Sequence, residues 1–531
     1  MKIEIFDTTL RDGEQGAGVE FSRDDKITVI HALDALGVSY IEAGMMTDEK
    51  SAAFFDSLGA VQQSLRCARL AVFAQTCRVG EAADENALLR LTAATPVPAA
   101  VLYGKAWLYQ VTDVLGTTEE ENLRMIRESI AYLRAAGKEV LFDAEHFFDG
   151  YADNPDVALS VVETAFEAGA SRVILCDTNG GMLPDVIGLV TEGVCRRFPD
   201  RVIGIHCHND MGMAASCSVS AVLAGAAHVQ GTISGMGERC GNANLDVVIP
   251  VLQCKLGFDC IGERIGVLTA TARKVNEAAN LSFSENEPFV GGYAFTHKAG
   301  AHIDGVTKTP RSFEHIRPET VGNVRNILVS GLSGRAAVID KLTEYAPHEM
   351  FVKSDPRVQR AAELVREKES RGYEYENAGA SLALLFDEAL GCRKHYFDLI
   401  SLKVIVDEKV GEERESFTAS AVIKIAVDGR EYLTAGEGNG PVNAIDEALR
   451  RALGKFYPVI GGMHLTDYRV RVLDSKATAS EVRVFIESTD GASVWGTVGV
   501  SSDVIHASWQ ALRDSVEYLL KISEQSSRAG E

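Results

Sequence analysis

The feature that most constrains this chain is an alternation. From residue 1 to about 265, eight short β-rich runs are separated by amphipathic stretches: Ile3 to Asp7, Val38 to Glu42, Arg69 to Ala74, Ala99 to Tyr103, Glu139 to Ala144, Arg172 to Cys176, Val202 to His206 and Val229 to Ser234. The stretch before the fifth run shows the logic. Leu123, Ile126, Ile130 and Leu133 fall on one helical face, and Gly137 ends it as a C-terminal cap does. Eight strand-helix units over about 250 residues is the arithmetic of a (β/α)8 TIM barrel. A doubly wound open sheet is the competing architecture, and the polar residues discriminate. Arg11 and Asp12, Glu42, Asp143 and Glu145, Asp177 and Thr178, and His206 and His208 all lie at or just beyond the carboxyl ends of different strands. Closure into a barrel brings those ends onto one face.

The rest of the chain has a different texture. Between residues 266 and 390, Gly291-Gly292, Pro310, Pro318 and Gly331 to Gly334 interrupt short helical patterns, and Arg366 to Arg371 belongs to a charged helix, so a helical connector of small subdomains is expected. Residues 391–531 repeat themselves. Asp428-Gly429 is a hairpin signal that recurs as Asp490-Gly491, 62 positions later (490 minus 428). Each copy runs into a helix, the first carrying Val442, Ile445, Leu449 and Leu453, the second Ile505, Trp509, Leu512 and Val516. Two strand-strand-strand-helix units predict a pseudo-symmetric α+β domain. It lacks catalytic residue types at suggestive spacing, which suits ligand sensing and dimerisation.

Bulk properties exclude some functions. A formal net charge of -22 leaves no overall basic field, which argues against nucleic acid as a partner. The chain opens on an alternating strand rather than a signal peptide, and no stretch approaches the roughly 18 apolar residues of a membrane span. No membrane association and a cytoplasmic location are expected. The ten cysteines form no C-x-x-C pairs and read as reduced thiols.

The polar residues suggest the chemistry. His206 and His208, two apart on a strand end, point to the same side. Asp12 can reach the same centre across the barrel mouth, and Asn242 can add an amide oxygen. Such a donor set with open positions suits Mg²⁺, Mn²⁺, Zn²⁺ or Co²⁺; a hydrogen-bonded polar network is the alternative. Cys207 points the other way and reads as core. Arg11 offers a planar fork to a carboxylate or an enolate oxygen, and Glu42 can hold that fork by a salt bridge. A divalent metal here can chelate an α-keto acid and polarise its ketone. Thr178 fits as a hydroxyl donor to the substrate carboxylate, and Glu145 is placed to orient substrate or relay a proton. Asp143, Asp177 and His146 stand between direct and supporting roles. A carbon nucleophile also needs a base. The segment Thr296 to Gly305 concentrates His297, His302 and Asp304, and His302 with Asp304 has the form of a base and its orienting carboxylate. A segment reaching over the active face of a second subunit would make a homodimer obligatory for catalysis.

Four strings carry a resemblance: Asp7 to Gln15, Asp143 to Gly150, Cys176 to Gly181 and Gly237 to Leu245. They are similar to motifs of the DRE-TIM metallolyase superfamily, within it the isopropylmalate, citramalate and homocitrate synthase branch, and the likeness covers essentially the whole chain. The resemblance implies that Asp12, His206, His208 and Asn242 bind the metal, that Arg11 and Glu42 form the arginine-glutamate pair, that Glu145 and Thr178 bind the keto acid, and that His302 is the base. It implies a Claisen condensation of acetyl-CoA with a 2-oxo acid, followed by thioester hydrolysis. The expected acceptor is pyruvate, giving citramalate on the way to isoleucine; 2-oxoisovalerate, giving 2-isopropylmalate, is the alternative. A carbon-carbon lyase and a catalytically silent regulator are more distant ones. The segment from Glu437 to Tyr518 resembles the branch's regulatory domain, which binds an end-product amino acid at a dimer interface, with isoleucine ahead of leucine as the expected effector. Two departures bear on specificity. Ala43 to Asp48, with Met45 and Met46, replaces the usual Gly-Trp-Pro-Gly after the glutamate, and Phe313 stands where a tyrosine is usual.

Overall fold

The computed structural model describes residues 1–328, 335–409, 416–473 and 480–529. The chain divides into two compact units, Met1–Phe295 with His315–Arg325, and Thr296–Glu314 with Asn326–Glu531.

The first unit is a closed barrel of eight parallel strands: β1 (Glu4–Asp7), β2 (Tyr40–Met45), β3 (Arg69–Gln75), β4 (Ala99–Lys105), β5 (Glu139–Glu145), β6 (Arg172–Asp177), β7 (Val202–Cys207) and β8 (His228–Gly231). Closure is made by β1, which pairs Phe6 with Tyr40 on one side and Ile5 with Val229 on the other. The alternation is therefore a TIM barrel and not an open sheet. All eight expected runs are strands. The last is shorter than its apolar pattern, because the chain turns at Ile233–Gly235 with Ser234 at a φ of 53°.

Alternating residues fill the inside in layers. Phe6, Ala71, Val101, Leu141 and Ile174 are buried in its apolar middle. Polar side chains lie above and below that plug, so each barrel end has its own charged network. Outside, the helix Glu119–Ala135 is capped by Thr118, buries Met125, Ile126, Ile130 and Leu133, and is followed by Gly137 at a φ of 85°. The barrel unit also runs past residue 265. The helix Leu268–Ala278 buries Leu268, Ala272 and Val275 and packs on the helix Arg23–Leu36, which ties the segment to the barrel by its apolar stripe.

The second unit contains the repeat. Strands Asp398–Lys409, Ser416–Val427 and Arg430–Gly438 form an antiparallel sheet under the helix Pro441–Leu453; His464–Val472, Val482–Thr489 and Val494–Ser501 do the same under Val504–Ala529. Ala419, Ala421, Ile423, Ile425 and Val427 line the inner face with period two and meet Ile445 and Leu449. Each such fully buried Ile or Leu contributes about 1.5–3 kcal/mol. Gly436 and Gly499 occupy matching places in the third strands, where an added Cβ would lie 2.4 Å from the Ala448 nitrogen and 2.0 Å from the Ala507 carbonyl oxygen. The two turns differ. Asp428-Gly429 is a two-residue turn with φ of 49° and 74°, whereas Asp490 opens a longer loop and accepts from the Ala492 and Ser493 amides. Between the barrel and the repeat, the helices Arg335–Tyr345, Pro356–Ser370 and Gly379–Leu390 share one apolar cluster. The last of these joins the repeat through Ser381, bonded to Asp514 and the Val498 amide. The glycines expected to break the pattern at 331 and 334 lie outside the described residues.

Candidate active site

The carboxyl ends of the strands surround a cavity of about 280 Å³ lined by Arg11, Asp12, Met45, Asp143, Glu145 and Thr178, with His206 and His208. Arg11 lies just past β1. Its Nε donates to Glu42 Oε2 at 2.6 Å, and its Nη1 to Asp12 Oδ2 at 2.8 Å. The Thr8 hydroxyl donates to the same Glu42 oxygen, and the guanidinium carbon lies 3.9 Å from the Phe73 ring centroid. Burial raises the Glu42 carboxyl, while Arg11 and Thr8 oppose that rise. No partner for Arg11 Nη2 is found among the described residues, so one edge of the fork is left for a ligand.

Asp12, His206 and His208 present donor atoms within 4.8 Å of one another, and all three are buried. His206 Nε2 is 3.6 Å and His208 Nε2 3.9 Å from Asp12 Oδ2. These separations are too long for hydrogen bonds and suit two ligands of one cation. Asn242 donates through Nδ2 to Asp12 Oδ1 at 2.8 Å and to the Met236 carbonyl at 3.1 Å, while its buried Oδ1 has no partner. An orphaned acceptor beside three donors fits a divalent cation. The electrostatics fit as well. Burial pushes the His206 imidazolium down to about 3 and lowers that of His208, leaving neutral rings. Burial opposes the Asp12 charge, but the Arg11 guanidinium, helped by the Asn242 hydrogen bond, holds that carboxyl well below the usual range.

On the substrate side, the Thr178 hydroxyl oxygen accepts the His146 amide at 2.8 Å, which leaves its proton to donate. Glu145 is ion-paired with Lys105 from the end of β4. Of the three residues left between roles, Asp143 lines the cavity, and burial with the Glu42 charge pushes its carboxyl up to about 8. Asp177 instead accepts the Gly181 and Met182 amides, and His146, at a φ of 58°, lies 3.4 Å from Asp149. Both shape the turns beneath the cavity. Cys207 is in the barrel core. The two methionines separate: Met45 lines the cavity, while Met46 is buried under the helix Glu49–Ser64.

The segment carrying the expected base belongs to the second unit. His302 is exposed on the helix Gly300–Lys308, with its ring centroid 4.2 Å from that of Phe313. Asp304 does not orient it. Residues two apart on a helix face away from each other, and Asp304 bonds Lys308 at 2.5 Å and lies 3.6 Å from Lys353. Three lining residues had drawn no attention in the sequence, Phe73, Tyr103 and Lys105, and neither had Gln230, which bonds His206. Phe73, Tyr103 and Gln230 lie on the inward register of strands already predicted, and Lys105 continues that register two residues past the predicted end of its strand, so period two along each strand was the available signal.

An HMGL-like family model matches residues 2–270, a homocitrate synthase post-HMGL domain-like model residues 289–367, and a LeuA allosteric (dimerisation) domain model residues 376–520. The (R)-citramalate synthase of Aquifex aeolicus is 46% identical over 527 residues, covering 99% of this chain and 99% of its own. That of Geobacter sulfurreducens is 43% identical, covering 98% of each. A 2-isopropylmalate synthase of Acidovorax ebreus is 31% identical over 100% of this chain and 99% of its own. With the closed barrel, the allosteric domain and identity of this level running end to end, the chain belongs to the (R)-citramalate synthase family.

Proposed function

We propose that the protein condenses acetyl-CoA with pyruvate and hydrolyses the resulting thioester to (R)-citramalate and CoA, at the entry to isoleucine synthesis. The observation that carries this reading is Arg11, fixed by Glu42 and Asp12 with an open edge beside the Asp12–His206–His208 cluster. That is a site for the oxygens of a keto acid.

Asp12, His206, His208 and the Asn242 oxygen would hold a divalent ion, which supplies Lewis-acid polarisation of the ketone. Two imidazoles beside a carboxylate favour Mn²⁺, Co²⁺ or Zn²⁺ over Mg²⁺. Arg11 donates to the keto oxygen as charge grows on it, and Glu42 keeps the fork from turning. The Thr178 hydroxyl donates to the pyruvate carboxylate. Glu145, ion-paired with Lys105, orients the acceptor. His302 takes a methyl proton from acetyl-CoA; the resulting carbanion attacks the ketone carbon, the new alkoxide takes up a proton, and water then cleaves the thioester, leaving CoA as the thiol. Holding both reactants in line supplies much of the acceleration.

The allosteric domain is read as a dimerisation module that binds isoleucine first and leucine second among candidate effectors. The expected setting is the cytoplasm, which suits ten unpaired thiols. Thiol release from acetyl-CoA over a panel of 2-oxo acids, with each divalent ion in turn, is the test. Pyruvate should be the preferred acceptor. Turnover confined to 2-oxoisovalerate would make the protein a 2-isopropylmalate synthase instead, and no release under any ion would sink the condensation.

A further inference from the structure

The inward face of β8 places a neutral amide, Gln230, at the upper edge of the apolar plug, fully buried. An amide in that position costs stability unless both of its ends are bonded. Here both are. Gln230 Nε2 donates to Asp143 Oδ1 at 3.0 Å, and Gln230 Oε1 lies 2.9 Å from His206 Nδ1.

We infer that Gln230 is a positioning residue for His206, its amide held by Asp143 so that the imidazole is fixed in the tautomer presenting Nε2 to the cation. The chemistry runs in one direction. Asp143 Oδ1 accepts from the amide nitrogen, as a carboxylate oxygen or as the carbonyl oxygen of the protonated acid, which turns the amide oxygen toward the imidazole. An acceptor facing Nδ1 requires the ring proton on Nδ1, which leaves the lone pair on Nε2, the atom 3.6 Å from Asp12. The neighbouring ligand has no such support, for His208 Nδ1 is buried without a partner. One imidazole is thus locked by a side-chain relay, while the other, just past the end of β7, has none. Asp143 also lines the substrate cavity, so the relay joins the cavity wall to the ligand set. Hydrogen bonds of this kind fix ring orientation and ligand basicity in metal sites.

The inference rests on the metal reading of Asp12, His206 and His208. To test it, Mn²⁺ is titrated into metal-free full-length protein and the free ion is counted by its EPR signal. Gln230→Met keeps the side-chain volume and removes both hydrogen bonds. It should raise the Mn²⁺ dissociation constant about 10- to 100-fold while the metal-free protein still unfolds in one cooperative transition. Gln230→Glu combined with Asp143→Asn rebuilds the relay, the introduced amide donating to the introduced carboxylate, which accepts from His206; affinity should return to within about threefold of wild type. A Gln230→Met protein that binds Mn²⁺ as tightly as wild type overturns the inference, as does a double variant no tighter than Gln230→Met. Should Gln230→Met not fold, Asp143→Ala, which frees the outer end of the amide, decides: a weakened affinity supports the relay and an unchanged one overturns it. Wild-type protein that takes up no Mn²⁺ overturns the metal reading and this inference with it.

Discussion

The two ends of the barrel are each built around an arginine between carboxylates, and they differ in what they leave unpaired. At the lower end Arg172 donates through Nε and Nη2 to both Glu4 oxygens, at 2.5 and 2.6 Å, and through Nη1 to Glu139 at 2.7 Å. Tyr40 and Arg69 complete that network on Glu139. At the upper end Arg11 has one nitrogen on Glu42 and one on Asp12, with Nη2 open, while Glu42 Oε1, Asn242 Oδ1 and His208 Nδ1 are buried without partners. Among the described residues the lower end has two atoms without a hydrogen-bond partner: Glu139 Oε2, which is ion-paired with Arg69 Nη1 at 2.6 Å, and His228 Nε2, whose ring reaches Glu4 through its other nitrogen at 3.3 Å. Similar residue types therefore make a network whose arginine is fully paired at one end and one whose arginine keeps an open edge at the other. What separates them is the unspent hydrogen-bonding capacity, which is costly in a folded protein unless a ligand uses it.

Exchanging the two arginines for alanine breaks the comparison most directly. Arg11→Ala should lower kcat/KM by about 10³-fold, since it removes a donor to the developing charge. Arg172→Ala should leave kcat/KM within about threefold but cost about 2 kcal/mol of stability, below the range for fully buried pairs because its partners are partly exposed. Urea unfolding read from Trp107, in a Trp495→Phe, Trp509→Phe background, follows the barrel by itself. Comparable losses of activity from the two arginine variants would erase the distinction drawn between the ends.

His302→Ala asks whether the upper end suffices without a base from the second unit. Turnover should fall about 10²- to 10³-fold with calorimetric pyruvate affinity nearly unchanged. Undiminished turnover would remove His302 from the reaction. Met45→Ala probes the apolar part of the upper cavity: the kcat/KM ratio of 2-oxoisovalerate to pyruvate should rise about tenfold, and a fixed ratio would place specificity elsewhere. Met46→Ala, in the core, should lower stability and leave that ratio alone.

The smallest expected effect is a difference in the sign of pH dependence. Burial opposes ionisation of Glu4, but Arg172 and His228 outweigh it and hold the carboxyl at about 2. That contribution is complete above the unfolded value near 4.5 and is lost as pH falls toward 2. Asp143 is raised by burial to about 8, so the folded state holds a proton that the unfolded chain has released. Its contribution is complete below about 4 and is lost as pH rises through 8. For the partly exposed Glu4 this amounts to about 1 kcal/mol after solvent screening. Urea midpoints of metal-free Gln15→Ala, used as a neutral reference, and of its Glu4→Gln and Asp143→Asn derivatives separate the two: the first should flatten the acid limb, the second the alkaline limb. Limbs that stay unchanged would show that neither carboxyl carries the dependence.

How much was legible varies with the range of the interaction. The strand runs, the repeat and the Asp12, His206 and His208 grouping follow from short-range pattern, because a closed barrel has eight strand ends at one rim and period two decides which side chains point inward. The Asp304 pairing misled for a local reason. Proximity in a Gly-flanked segment suggested contact, whereas the segment is a helix, and a spacing of two on a helix separates side chains. Gln230, Lys105 and Tyr103 escaped notice because an inward polar residue without a motif looks the same as any other until its neighbours are known.

The sequence by itself determined the barrel, the grouping of Asp12, His206 and His208 at its mouth and the duplicated α+β unit, since each is encoded in periodicity or in strings of adjacent residues. Tertiary structure alone decided which of two similar charged networks is open, how the Met45–Met46 pair divides between cavity and core, and which amide orients His206. Those outcomes depend on atoms brought within 3 Å from strands many residues apart, such as Gln230 and Asp143, separated by 87 positions and joined at 3.0 Å. Hydrogen bonds act at that distance and no farther, so no pattern along the chain records them.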